Sequence, residues 1–540
     1  MLKKIRSKKI VNIIFENIKK RKKLNILRYN KNFRGKLNIK IKDYQDFLTL
    51  KELNQKFNLN IKDTDTKEFN LEDKLLGNEV FEYLNKIDFN ELKEINLSNN
   101  SLTEIKFNEN VKFEKLEKLF LFENKISDIN ILDKLQFKNL KTLDLDYNEI
   151  VDINVLGKVK YDKIEKLFIQ NNKISDINIL AKVNFKELKE LYLNDNEISD
   201  IKVFENVSFD NLKILNLSMN KISDIDILEK VNFKELQILD LSFNMINDVK
   251  ALDKINCENL KELNLGYNLF ESIDFIEKIN FKNLKKLYLS FNKISYIKAL
   301  ENAYCFHLSI LDLSRNKILD INNLEKIELK ELKELDLNNN KLVNIQFLEN
   351  VKFENLTVLN LSQNLITDIN VLERVNFKEL KYLNLGGNEI DDIAVLENVI
   401  FQNLNILNLS RNKLSNINTL GNVEFKNLRI LYLSYNKISN INILKKTNFP
   451  ELRELYLNEN DLSDIQVLES VNYAKLEVLW LNKNKITDIN IFEKTNFKEL
   501  KELLLNDNEI SDIKIFKNTQ LYKQILNLNL KGNKIEENHN

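Results

Sequence analysis

LKELYLNDNEISDIKVFENVSFDN, residues 188–211, returns along the chain every 24 residues. Leu188, Leu191, Leu193, Asn196, Ile198, Asp200, Ile201, Phe204, Val207 and Phe209 mark positions 1, 4, 6, 9, 11, 13, 14, 17, 20 and 22 of one copy. Position 1 falls at Leu92 and at every 24th residue to Leu500, with Ile164 standing in once, which makes eighteen units. A nineteenth ends at Leu530, Asn533 and Ile535 after a one-residue insertion. A period of this length marks a solenoid whose units touch mainly their neighbours.

The pattern within one unit predicts its local structure. Leucines at positions 4 and 6 alternate as in a short strand with one buried side. Successive strands run in the same sense with about 21 residues of return path, so they must be parallel and joined by crossovers. On the return, apolar residues at positions 14, 17 and 20 suit a turn or two of helix or a 3-10 turn. Asp at position 13, as in Asp128, Asp176, Asp224 and Asp368, can accept backbone N–H bonds at its start. The expected fold is α/β: a curved horseshoe with a parallel sheet on the concave face and short helical or 3-10 turns on the convex face.

Every unit also carries an asparagine at position 9: Asn100, Asn124, Asn148, Asn172, Asn196, Asn220, Asn244, Asn268, Asn292, Asn316 and onward to Asn533. The chain leaves the strand there, and its buried backbone groups need partners. An amide supplies two donors and an acceptor, so a column of amides can tie each loop to the next. The column is therefore read as structural, with no metal or catalytic role.

Composition divides the chain. Its formal charge is +1, yet up to Lys42 there are sixteen Lys and Arg against the single Glu16, leaving the remainder mildly acidic. Residues 1–66 form a basic segment with helical spacing, and 67–91 form a cap. The array runs over 92–535, and 536–540 is a polar tail. Phe81, Leu84, Ile87 and Phe89 match positions 14, 17, 20 and 22 of a unit that has lost its strand. Cys257 and Cys305 both take the core position usually held by Phe, two repeats apart and beyond the reach of a disulfide. Free buried thiols suit a reducing compartment, so a cytoplasmic location is expected, with nuclear import by Lys19–Lys23 as a second reading. No apolar run is long enough to span a membrane. Two histidines, eight glycines without a phosphate-cradling loop and no zinc-spaced Cys/His cluster argue against an enzyme and against any cofactor. Cys305 is two residues from His307 but fills a core position.

The motif resembles the leucine-rich repeat. Its Asn-x-Ile-Ser-Asp-Ile stretches (172–177, 196–201 and 508–513) are similar to the class found in protein phosphatase-1 regulatory subunits and bacterial internalins, whose unit is usually two residues shorter. The resemblance implies a scaffold fold and leaves function to the residues that do not build it. Those are positions 3, 5, 7 and 8, which face the hollow. Large apolar side chains recur there, with two concentrations: Phe243, Tyr267, Tyr288 and Phe291, flanked by Asp240, Asp312 and Arg315, and Arg411, Tyr432, Tyr435, Tyr456 and Trp480. Exposed aromatics with arginines are the usual centres of protein interfaces. The reading is a non-enzymatic scaffold that binds a protein partner on its concave face, without small-molecule substrate, nucleic acid or transmembrane segment.

At the front, Ile10, Ile14, Phe15 and Ile18 recur at helical spacing. With Leu24, Leu27 and Phe33 they resemble the helical core of an F-box, although Arg6 and Ser7 replace the usual Leu-Pro. That resemblance implies docking on a ubiquitin-ligase adaptor and a substrate-recognition role. A phosphatase regulatory subunit is the third reading.

Overall fold

The computed structural model describes residues 41–535, apart from 65, 90, 112, 136, 280, 304, 518 and 519. The F-box-like residues Ile10, Ile14, Phe15 and Ile18, and the tail 536–540, lie outside the described residues. The chain divides into two compact units. The first runs to Asn244 and takes in Ile255–Cys257; the second is Met245–Lys254 with Glu258 onward.

In the first unit the described chain starts with helix α1 (Ile41–Lys56), followed by strand β1 (Glu68–Asn70) and helix α2 (Val80–Leu84). Leu50 and Leu53 of α1 are buried, and Phe57 meets Tyr83 edge-on with centroids 6.0 Å apart. Strands β2 (Glu94–Asn96), β3 (Lys118–Phe120), β4 (Thr142–Asp144), β5 (Lys166–Phe168), β6 (Glu190–Tyr192), β7 (Ile214–Asn216) and β8 (Ile238–Asp240) follow. All pair parallel, residue for residue 24 apart after the first pair, as in Leu167 opposite Leu191. The second unit repeats the arrangement from β9 (Glu262–Asn264) to β20 (Asn527–Asn529), with a short helix α3 (Gln520–Gln524) before the last strand. From β3 to β19 each strand is followed by a 3-10 turn of four or five residues.

The front of the first unit corrects the expectation of a lost strand. Glu68, Phe69 and Asn70 pair with Glu94, Ile95 and Asn96, and Phe69 and Leu71 are buried like the leucines of later units. This degenerate unit is two residues longer and has Lys74 where an asparagine would stand, so the sequence period hides it. Asn100 still bonds it as an ordinary coil, its Oδ1 accepting the N–H of Lys74 at 3.0 Å and of Leu76 at 3.3 Å, as Asn124 Oδ1 accepts those of Asn100 and Leu102.

Positions 1, 4, 6, 11, 14, 17 and 22 supply the core. In the copy quoted above Leu188, Leu191, Leu193, Ile198, Ile201, Phe204 and Phe209 are all at most 2% exposed. No single unit closes this core alone, because each layer of leucines is covered only by the layers before and after it.

The asparagines join the layers. Asn220 Oδ1 accepts the N–H of Ile198, one unit back, at 3.0 Å. Its Nδ2 donates to the carbonyls of Leu193, again one unit back, of Leu217 and of Ser218, at 3.0, 3.1 and 3.1 Å. Asn148, Asn172, Asn196, Asn244 and Asn316 repeat these contacts. Asn292 differs: Nδ2 donates to Leu265, Leu289 and Ser290, but its buried Oδ1 takes no hydrogen bond among the described residues. Position 11 of the preceding unit is there Phe270 in place of the usual Ile or Leu.

Two further side chains shape each coil. Asp at position 13 accepts the N–H two residues on, as in Asp200 to Lys202 at 2.9 Å. The residue immediately before the 3-10 turn is Ile201, which cannot cap, so the cap comes from one residue earlier than the standard N-cap. Asn or Asp at position 5 does the same at the strand end, as in Asn216 to Ser218 at 3.0 Å and Asp144 to Asp146 at 3.1 Å.

Replacing Asn220 by alanine strands the N–H of Ile198 and the carbonyls it bridges and is expected to cost about 1–3 kcal/mol. Asn292→Ala removes donors only and should cost less; chemical denaturation of the two variants checks the order. Asp144 gives a pH prediction. Burial pushes its carboxyl up to about 6, opposed by the Asp146 N–H and helped by the nearby Asp146 carboxylate. The folded chain therefore holds a proton that the unfolded chain releases near pH 4, and this contribution to stability is lost as pH rises through about 6. Asp144→Asn keeps an acceptor for the N–H and should stabilise by on the order of 1 kcal/mol at pH 7 and by nothing at pH 4, measured by melting at both.

Candidate protein-binding face

Strand residues at positions 3 and 5 and turn residues at positions 7 and 8 stand on the side opposite the leucines. Position 8 has a property the sequence reading missed. Its backbone is left-handed in all nineteen units: seventeen non-glycine residues, from Asn99 at φ 51° to Asp507 at φ 55°, plus Gly387 and Gly532. Such a conformation costs a residue with a Cβ roughly 1 kcal/mol. The signal was present in the frequent Asn, Asp and Gly there (Asn99, Asn171, Asp195, Asn339, Gly387), which tolerate positive φ.

This backbone aligns the position 8 side chains into a column of their own. In the second unit Tyr267 and Phe291 stack with centroids 3.7 Å apart and planes 16° from parallel, and the Arg315 guanidinium lies 4.4 Å from the Phe291 ring centre. Farther along, Arg411 lies 4.0 Å from the centre of the Tyr435 ring. Tyr267 and Tyr435 are 37% and 39% exposed, which leaves ring surface for a partner.

Position 5 forms a second column. Tyr432 stacks on Tyr456 at 4.5 Å, and Tyr456 meets Trp480 edge-on at 4.8 Å. Their polar ends are held within the chain: Tyr456 Oη donates to Glu454 at 2.6 Å and Trp480 Nε1 to Glu502 at 2.7 Å. Burial and the Glu454 carboxylate hold the Tyr456 phenol well above its ordinary range, so it stays protonated. In the first unit Phe168 and Tyr192 stack at 4.9 Å in the same way. Tyr288 belongs to this column, its strand position paired with Asn264 and Asp312, whereas Tyr267 and Phe291 belong to the other. Both sequence patches thus draw on the two columns: Tyr288 at position 5 with Tyr267 and Phe291 at position 8, and Tyr432, Tyr456 and Trp480 at position 5 with Arg411 and Tyr435 at position 8.

Elsewhere on position 5 the sequence alternates between aromatics and the Asn or Asp that bonds the turn. An aromatic there displaces a local hydrogen bond, so each one replaces an element of loop stability with apolar surface.

The residues considered for chemistry are kept apart. Cys257 and Cys305 are buried and free, and burial pushes each thiol up to about 12. His307 is exposed, with Nδ1 2.8 Å from Glu331 Oε1. Among the described residues no group of three or more His, Cys, Asp or Glu could hold a metal, and no helix is long and apolar enough to cross a membrane.

Comparisons with known proteins agree with this geometry. A family described as "Leucine Rich repeats (2 copies)" matches residues 162–206, 210–254, 258–302, 354–398 and 450–494, and "Leucine Rich repeat" matches 304–320. No curated relative matches the chain in sequence. A leucine-rich repeat protein of Leptospira interrogans is 26% identical with a TM-score of 0.55, covering 74% of this chain and 92% of that one. YopM from Yersinia enterocolitica, 19% identical with a TM-score of 0.53, covers 90% of this chain and 94% of its own and speaks for the fold alone. An internalin from Listeria monocytogenes is 25% identical over 72% of this chain and 86% of that chain, with a TM-score of 0.42. The matches to the two-copy family start at intervals that are multiples of 48 residues, two of the 24-residue repeats in which the asparagine bridges and strand leucines recur, and over the matched residues the chain carries leucine-rich repeats.

Proposed function

We propose that the chain is a non-enzymatic scaffold that holds a protein partner against its strand face. The observation that carries this reading is the run Tyr432, Tyr456 and Trp480, with Arg411 over Tyr435 beside it. These rings lie outside a core that is already complete without them, and they are held in place before any partner arrives. Rings fixed by stacking and by Glu454 and Glu502 lose little freedom on binding, which favours them as anchors. Tyr267, Tyr288 and Phe291 form a second area of the same kind. The fold supports this reading because leucine-rich repeat arrays serve as extended binding surfaces. The ubiquitin-ligase and phosphatase readings rest on resemblance alone and are not carried further.

Tyr456→Ala combined with Trp480→Ala tests the proposal. Loss of two ring contacts removes about 1–3 kcal/mol of local packing, which a core of this extent tolerates, so the melting temperature should move by a few degrees only. Affinity capture of partners by the variant should fall about tenfold or more. Unchanged capture would leave the columns as braces of the fold.

A further inference from the structure

The face is not uniform in charge. Counting positions 2, 3, 5, 7 and 8, every pair of consecutive units outside one stretch carries at least one carboxylate. The stretch is the four units that begin at Leu356, Leu380, Leu404 and Leu428, all within the second compact unit. These twenty positions hold no Asp or Glu and three cations: Arg411 on the face at position 8, and Lys381 and Arg429 at position 2, on its border just before the strand. Lys381, Arg411 and Arg429 are exposed, and among the described residues none of them has a carboxylate within 4.0 Å. Beyond the window the sign changes on both sides, to Glu334 and Asp336 before it and to Glu454 and Glu459 after it.

The same window is apolar along position 3, where Val358, Tyr382, Ile406 and Ile430 stand half-exposed on adjacent strands. These strands, β13 (Val358–Asn360) to β16 (Ile430–Tyr432), pair directly, so the four side chains form one row. Gly386 and Gly387 carry no side chains, and the amides of Asn408 and Gln363 from the adjacent coils lie over them, a Cβ at Gly386 meeting the Asn408 amide at 3.0 Å. The result is a strip with an apolar row, a cationic border at Lys381 and Arg429, and Arg411 on the opposite border.

We infer that this window binds an extended, acidic and apolar segment of a partner protein that crosses the strands. The inference rests on the scaffold reading above and specifies the chemistry of what the scaffold takes. Four strands spaced by about 4.8 Å span roughly 14 Å, the length of four or five extended residues. Carboxylates of such a segment meet Lys381, Arg411 and Arg429, and its apolar side chains cover Val358, Tyr382, Ile406 and Ile430. Glu334 and Asp336 at one end and Glu454 at the other repel any continuation of negative charge, which confines the acidic part to the window and sets its register. A nucleic acid fits less well, because its phosphates continue past three cations into those carboxylates.

A display library of random peptides panned against the full chain tests the inference. Peptides enriched by the chain should combine Asp or Glu with apolar residues, and the enriched peptides should lose about tenfold or more in affinity for a chain carrying Lys381→Glu and Arg429→Glu. Lys378→Glu with Lys426→Glu, three residues ahead of Lys381 and Arg429 at the end of the preceding units, should leave binding unchanged, and melting curves of both variants show that they fold. Enrichment of neutral or basic peptides, equal loss in both variants, or tighter binding of a single-stranded oligonucleotide than of any peptide overturns the inference. If Tyr456→Ala with Trp480→Ala still abolishes partner capture while the library fails, the scaffold reading survives and only the acidic chemistry falls.

Discussion

One amide per coil sets the terms for everything else in this molecule. A strand of three residues buries too little to stand alone, and the turn that follows it would leave backbone donors and acceptors in a dry interior. Asparagine at position 9 answers both demands, because its oxygen takes a donor from the previous coil and its nitrogen serves carbonyls of both coils. The bond geometry fixes the backbone just before it as well. The left-handed residue at position 8 is the conformation that brings the chain off the strand with the amide facing its neighbour, and it recurs whether that residue is Gly387, Phe291 or Arg315.

The surface inherits that constraint. Since the backbone at position 8 is dictated by what lies beside it, side chains there are aligned whatever they are, and rings one coil apart fall into stacks such as Tyr267 on Phe291. Position 5 works differently, because the residue there can either secure its own turn, as Asn216 does, or present a ring, as Tyr432 does. The face is therefore written by a series of local choices between loop stability and exposed apolar area. Ion pairs between equivalent positions of adjacent coils, such as Lys189 with Glu165, decorate the border but are exposed and contribute little.

Much of the fold was legible because leucine, asparagine and aspartate each have one physical task per coil and repeat it at constant spacing. Strand pairing and the amide column follow from that spacing, whereas the return, which the spacing left open between helix and 3-10 turn, is 3-10 from β3 to β19. The degenerate first coil was not legible: Phe69 and Leu71 are its leucine equivalents, but two extra residues and Lys74 break the period that identifies them. Which rings stack was not legible either: Tyr267, Tyr288 and Phe291 are all face positions, but Tyr288 lies on a strand and the other two on left-handed turns, and it is Tyr267 and Phe291 that stack. Asn292 shows the remaining limit: its Oδ1 takes no hydrogen bond among the described residues, although position 9 reads as asparagine there as in every other coil.

Because the coils from Leu92 to Leu500 repeat at a constant 24 residues and most are joined by the same asparagine contacts, a whole coil among them can be removed or duplicated and the junction rebuilt in the same way. Such an edit leaves core and amide column as they were while shifting the distance between the aromatic and cationic areas by one strand width. The array is thus a ruler whose markings can be moved without remaking it, and the separation of its proposed binding areas is a property that whole-coil gain or loss alters in discrete steps.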